Sequence, residues 1–404
     1  MSKKDILFLC QFFYPEHNSS ATLPFDTAEY LAAHGFAVDA LCGYPKEYND
    51  RGEVPLKETV SGVNIHRIRY IQLGRKQTIS RLVNYFSFTF SAFLRLFKLK
   101  NYKCVIVYSN PPVLPFLPVV ANKLFGTKLV FVAYDVYPEV AYASNTLHPG
   151  DLIDRVMKRL NRSIYRRASM IVALTDEMKA FLLANRPQLT TDRVTTIANW
   201  AHEKSLVPNA EAYKRFGYKK NQFLVSYFGN MGTCQDVETM MGAIEALKDN
   251  DTIRFLMIGH GNKKEAIKQR IMDKNLKNLQ LIDFLTGTDF EQAVSISTCC
   301  LVSLERGLKG TCAPSKYYSY LQGGQPVFAI VEKGSYLEKE IEGERIGKVI
   351  ELGDSVTLAK ELCTLERDPL ECRNMGTRAR ELYQREYTME IALAKYEKVF
   401  TRTI

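Results

Sequence analysis

Proline, serine and lysine stand together at Pro314, Ser315 and Lys316, ahead of a short helical run, KYYSYLQ, two glycines and the strand-like PVFAIV. Proline suits the first position of a helix, where its missing N–H costs nothing. Gly323 and Gly324 end the helix, and Pro326 blocks its continuation. The apolar run CCLVSL precedes the segment, so the helix starts at the carboxyl edge of a sheet. Free N–H groups and the helix dipole favour an anion there. Ser315 adds a hydroxyl and Lys316 a full positive charge, so the simplest ligand is a phosphate or diphosphate. The alternative is an ordinary capped helix whose lysine points into water. Two glycine turns accompany it: FGNMG at 228–232 and IGHGN at 258–262, each closing a strand-like run. Glycine permits close backbone approach to a ligand, and Gly229 and Asn230 are the candidates in the first turn. That turn is not G-x-G-x-x-G, so the dinucleotide fingerprint is absent from it. One such turn carries little; three at one sheet edge carry more.

The elements that must position these residues alternate. DILFLCQFF, AVDALC, VNIHRIRY, CVIVYS, KLVFVAYD, SMIVALT and VTTIAN read as strands, with helical stretches between several of them. Short, nearly continuous apolar strands separated by helices indicate a parallel sheet covered on both faces. Polar sequence around 200–221 reads as a linker, after which the pattern restarts with FLVSYFG, IRFLMIG, LQLIDF, CCLVSL, PVFAIV and KVIEL. The expectation is α/β throughout: two Rossmann-like, doubly wound domains facing an interdomain cleft, where ligands bind in such folds. We place the first domain at 1–205, the second at 206–385, and a C-terminal helix at 386–404 that has the option of packing back on the first domain.

The chain of 404 residues is ample for two domains, and its 46% apolar and 24% charged content is ordinary for a soluble protein. No 18-residue uncharged apolar run suggests a membrane-spanning helix. The start, MSKKDILFLCQFF, has signal-peptide features, but Asp5 interrupts it and a buried first strand explains it equally well. Nine scattered cysteines without C-x-x-C or zinc spacing indicate reduced thiols and a cytoplasmic setting. The net charge of +10 suggests an anionic partner. Asp249-Asn250-Asp251 imitates a metal-binding D-x-D, yet it lies between a helix and the strand IRFLMIG, at the edge away from ligands. No metal and no cofactor are expected.

YPE (14–16), AEYLAAHGFAV (28–38), YDVYPE (134–139), YFGNMG (227–232), FLMIGHG (255–261) and PSKYYSYLQGGQPV (314–327) occur in this order across nearly the whole chain. Together they resemble glycosyltransferase family four, of the GT-B fold, and most of all bacterial enzymes of capsule, O-antigen and exopolysaccharide assembly. The resemblance implies a nucleotide-sugar donor held mainly by the second domain, an acceptor site in the first, and transfer with retention of anomeric configuration. By motif, Ser315 and Lys316 bind the donor diphosphate, with Lys316 also catalytic. Gly229 and Asn230 approach the phosphates or sugar, and Phe284 and Leu285 lie near the base. Glu16, Ser19 and Ser20, in the loop after the first strand, close over the donor. Asp135 is the candidate to orient the acceptor hydroxyl, with Glu139 beside it. The chain also departs from the pattern. Thr311 and Ser319 stand where many relatives have two glutamates, so the donor-sugar contacts should differ. Asn18 and Ser19 replace a Gly-Gly, and Gln235 replaces a common lysine, for which Lys309 or Arg306 could compensate. No side chain stands out as an enzyme nucleophile, so the resemblance favours same-face attack with the leaving phosphate taking the proton.

The run at 75–103 carries seven basic residues and no acidic one. Ile79, Leu82, Val83, Phe86, Phe90, Phe93, Leu94 and Phe97 make a helical stripe, while Tyr85, Phe88, Ala92, Leu96 and Leu99 make much of the rest apolar. Such a helix is either buried all round or docked on an anionic membrane surface, with the basic helix at 155–167 beside it. A lipid-linked saccharide acceptor would lie at that surface, the inner face of the cell membrane. No nucleic-acid-binding pattern is present. Two other readings stay open: a nucleotide-sugar epimerase or hydrolase of the same fold, and a non-catalytic sugar-nucleotide-binding protein.

Overall fold

The computed structural model describes residues 3–45, 52–74, 78–204 and 206–404. The first domain holds β1 (Lys4–Cys10), β2 (Val38–Gly43), β3 (Lys57–Val60), β4 (Val63–Ile68), β5 (Tyr102–Tyr108), β6 (Lys128–Ala133), β7 (Met170–Ala173) and β8 (Val194–Thr196). Its helices are α1 (Ser19–Ala33), α2 (Thr78–Phe93), α3 (Phe116–Phe125), α4 (Glu139–Ala143), α5 (Leu152–Arg167) and α6 (Asp176–Asn185). The strand order is β3-β4-β2-β1-β5-β6-β7-β8, and every pairing but β3·β4 is parallel. β3 escapes sequence reading because KETV is a half-exposed edge strand without an apolar run.

The second domain holds β9 (Phe223–Asn230), β10 (Ile253–His260), β11 (Leu279–Ile282), β12 (Cys299–Ser303), β13 (Val327–Ile330) and β14 (Gly347–Ile350), in the parallel order β11-β10-β9-β12-β13-β14. Around them lie α7 (Ala210–Phe216), α8 (Val237–Ala246), α9 (Lys264–Lys274), α10 (Gly287–Ile296), α11 (Lys316–Gln322), α12 (Tyr336–Gly343), α13 (Ser355–Glu366) and α14 (Pro369–Glu386). Both sheets are buried on two faces, which is why their central strands are almost wholly apolar: Ile6 to Cys10 and Phe223 to Phe228 are buried without a break. Doubly wound sheets place their loops at the carboxyl ends of the strands.

Two details differ from expectation, and the packing of the last helix agrees with it. The stretch read as linker contains α7, because Ala212 and Phe216 are buried in the second domain's core. The run at 75–103, of which 75–77 lie outside the described residues, forms α2 followed by a 3-10 turn, Leu96–Asn101. This segment is two-faced rather than buried all round: Phe88, Ala92, Leu96 and Leu99 enter the core, while Ile79, Phe86, Phe90 and Phe97 face outward. The last helix, α15 (Met389–Thr403), crosses back and inserts Ala392, Leu393, Tyr396 and Phe400 into the first domain's core. Tyr30 donates to Glu397 Oε2 at 3.2 Å, fixing α15 against α1.

Candidate functional site

The two domains meet along the carboxyl edges of their sheets. Val136 N donates to Thr311 O at 2.8 Å, an isolated bridge pairs Asp135 with Cys312, and Gly310 N donates to Glu177 Oε2 at 3.1 Å. Beside this seam opens a cleft of about 350 Å³. Its walls include His17, Ser19 and Thr22 after β1, Trp200 and His202 between the domains, and Phe290, Ser315, Lys316 and Ser319 from the second domain. The 314–316 turn therefore faces the gap between the domains.

Lys316 is the centre of this wall. Its Nζ lies 4.1 Å from the centre of the Phe290 ring, and no described carboxylate pairs with it. An ammonium stripped of water and left unpaired loses affinity for its proton, and burial brings Lys316 down to about 8. A ring face offsets part of that loss by cation–π attraction. α11 is only seven residues long, so its dipole adds little and the side chains carry the positive field. Ser315 precedes α11 without a side-chain capping bond, leaving its hydroxyl for the cleft. Ser319 lies one turn on and also lines it.

The other candidates are placed as follows. Glu16 is buried, 4% exposed, below the loop, whereas Ser19 begins α1 and reaches the cleft; Ser20 lies in α1 outside the lining. Thr311 is 1% exposed and its hydroxyl donates to Leu308 O, so its side chain turns away from the cleft. Gly229 and Asn230 end β9, and Asn230 is exposed at the sheet edge. The neighbouring glycines have a purely internal reason: a Cβ on Gly259 would stand 1.8 Å from Gly229 O, and one on Gly261 2.3 Å from Met231 O. Phe284 packs edge-on against His260 at 5.3 Å, beyond the end of β11, while Leu285 joins the core. Lys309 reaches Lys333 O at 3.3 Å, away from Gln235. The lysine that does meet the Gln235 loop is Lys263, whose Nζ donates to Gln235 O at 2.7 Å. Sequence spacing missed it because it comes from the next strand–helix turn.

On the first-domain side, Gln11, Asn110 and Asp135 follow β1, β5 and β6, three adjacent strands. The Gln11 amide and Asn110 Oδ1 are buried without hydrogen-bond partners. Asp135 has its N–H on Ser109 Oγ at 3.0 Å, and burial raises its carboxyl to about 6. Buried polar groups without partners at a sheet's carboxyl edge are what a hydroxyl-rich ligand or ordered water satisfies. Glu139 is engaged otherwise: both its oxygens accept from Arg186 Nη2 at 2.8 Å. Asp249 and Asp251 sit at the amino end of β10, and Asn250 Oδ1 caps Thr252 N at 2.9 Å. Among the described residues no three His, Cys, Asp or Glu side chains gather as a metal site.

Away from the cleft, α2, the 3-10 turn, α3 and α5 carry exposed apolar side chains. Phe90, Phe97, Leu124, Leu152 and Ile153 are all more than half exposed. Phe97 packs on Phe125 at 5.8 Å, and Arg167 bonds Asn122 Oδ1 at 3.2 Å, joining these elements. Lys98, Lys100, Arg155, Lys158 and Arg159 are exposed on the same elements. No helix of the described residues is long and apolar enough to cross a membrane.

Residues 25–200 match the glycosyl transferase 4-like domain. The chain is 28% identical over 319 residues to a Pseudomonas aeruginosa protein named as the glycosyltransferase WbjE, covering 76% of this chain and 77% of that one. It is 21% identical over 407 residues to WcaI of Escherichia coli K12, named for glycosyl transfer in colanic acid biosynthesis, covering 95% and 96%. Among solved structures, HepE of Anabaena in complex with UDP-glucose superposes with a TM-score of 0.71 at 15% identity, over 99% of this chain and 100% of that one.

Proposed function

We propose that this chain, a glycosyltransferase of the GT-B fold with a glycosyl transferase 4-like first domain, moves a sugar from a nucleotide-sugar donor to a lipid-linked saccharide acceptor in surface-polysaccharide assembly, with retention of configuration. The observation that carries the donor half is Lys316: an unpaired, half-buried ammonium beside Ser315 in the interdomain cleft. Breaking a glycosyl–phosphate bond puts negative charge on the departing diphosphate, and fixed donors aimed at it lower the barrier. HepE, which shares the fold, binds UDP-glucose, and WcaI is named for polysaccharide biosynthesis. Both support the reading. The acceptor half is supported by the Gln11 amide and Asn110 Oδ1, buried without protein partners at the first sheet's edge, and by the buried Asp135 carboxyl beside them. Asp135 would orient the attacking hydroxyl. A thermal-shift panel of UDP-, GDP- and dTDP-sugars, followed by turnover with membrane extract, tests the whole. A stabilising nucleotide sugar and a glycosylated lipid product are expected; a changed free sugar with no acceptor product would favour the epimerase reading instead.

The acceptor's lipid is reached through the exposed apolar side chains of α2, α3 and α5, which dock on an anionic bilayer. Aromatic side chains enter the interface and each flanking lysine or arginine adds on the order of 1 kcal/mol near an anionic surface. Lys98→Glu with Lys100→Glu is expected to weaken association with phosphatidylglycerol-containing vesicles at least about tenfold. Unchanged co-sedimentation of the double variant would end the membrane argument.

A further inference from the structure

Asp26 is a carboxylate in the middle of α1, only 8% exposed. Such a group needs donors. Trp200 Nε1 donates to its Oδ2 at 3.0 Å, and His202 Nε2 lies 3.2 Å from the same oxygen. His202 is itself half-exposed and borders the cleft together with Ser315, Lys316 and Ser319. With Nε2 held by the carboxylate, Nδ1 is the nitrogen left for a ligand. No hydrogen bond from a described residue engages it.

The charges around the ring favour a cation. The bond to Asp26 raises its proton affinity most, burial opposes, Asp26 and Glu29 of α1 add to it electrostatically, and Lys204 subtracts; the balance lies above the ordinary value. Across the cleft stands Lys316, and His17 shares the first-domain wall. The carboxylate of Glu291 on α10 is held by Lys204. The cavity thus has a cation on each side and its own acidic residue paired away. We propose that His202, anchored on Asp26, binds a phosphate of the donor diphosphate from the first-domain side while Ser315 and Lys316 bind it from the second, an assignment that rests on the donor reading above. The bound diphosphate then bridges the domains. Asp26 ties His202 to α1, and Gln322 Nε2 donates to Lys204 O at 2.6 Å, tying the same segment to α11.

Isothermal titration of UDP, GDP and dTDP into the full chain, between about pH 6 and pH 9, tests this. His202→Gln is expected to weaken the best nucleoside diphosphate about five- to tenfold near pH 6.5. The ratio of variant to wild-type Kd should approach one near pH 9, where the imidazole is neutral. That ratio cancels the pH dependence that comes from the ligand and from the other side chains lining the cleft. The parent nucleoside, lacking phosphates, should bind both proteins equally, which a merely structural role for His202 would not produce. Asp26→Asn should move the pH at which the ratio falls to lower values, and thermal unfolding checks that each variant is folded. Equal affinities for His202→Gln and wild type across the range would overturn the assignment alone. No binding of any of the three to wild type would overturn the donor reading and this assignment with it.

Discussion

Lys316→Ala is expected to cut sugar transfer by about 10²–10³ while the protein stays folded. Charge develops on the leaving diphosphate only as the glycosyl bond breaks, so a donor fixed toward it acts more on the transition state than on the bound ground state. The loss should therefore appear in turnover at saturating donor as well as in KM. Lys316 has no carboxylate among the described residues to keep it in place; its position comes from Phe290 and from the turn between β12 and α11. An unpaired buried ammonium lowers stability, so its removal should not. Its proton affinity in the folded chain is lowered from 10.5 to about 8 by burial. Between those two pH values the unfolded chain holds the proton and the folded chain does not, so wild-type stability rises across that window. The alanine variant should lack this rise. Chemical denaturation at several pH values, alongside turnover, gives both answers. Near-normal turnover in a folded variant would sink the donor site.

Asp135→Asn should lower transfer and raise stability at once. A charged hydrogen bond to the acceptor hydroxyl is typically worth about 1.5–3 kcal/mol, or roughly 10–100-fold in rate. Burial raises the Asp135 carboxyl from 3.8 to about 6, which corresponds to a charge disfavoured by on the order of 2–3 kcal/mol at neutral pH. The sign follows from proton uptake: between those values the folded chain binds the proton and the unfolded chain does not, so stability falls as pH rises through the window. Asparagine has no charge to bury. The variant should match wild type below about pH 4 and exceed it by up to about 2–3 kcal/mol above about pH 6. In wild type, transfer should decline as pH drops through about 6, where the carboxylate is lost. A variant that keeps full activity would remove Asp135 from the acceptor site, whatever its stability.

Much of this chain is legible without coordinates. Period and composition give the parallel strands because a strand buried on both faces must be apolar along its whole length, as Ile6–Cys10 and Phe223–Phe228 are. Covalent sequence also fixes which residues follow a strand, so Pro314-Ser315-Lys316 and Asp135 could be assigned to the carboxyl edges from order alone. The same logic fails for KETV, an edge strand without an apolar run, and for Thr311, whose hydroxyl turns to Leu308.

Pairing across the cleft was beyond any linear pattern. Trp200 and Asp26 are 174 residues apart in one hydrogen bond, with His202 on the same carboxylate, and nothing in a one-dimensional spacing says that a polar residue of α1 will lie beneath the interdomain segment. Which side of α2 stays outside was equally undecided, since apolar residues cover most of its circumference; only the packing of Phe88 and Ala92 into the core leaves Phe86 and Phe90 exposed. Local order along the chain sets the elements and the ends at which chemistry can occur. The docking of two sheets edge to edge decides which of those ends share a cavity, because the side-chain contacts that hold it join residues far apart in sequence.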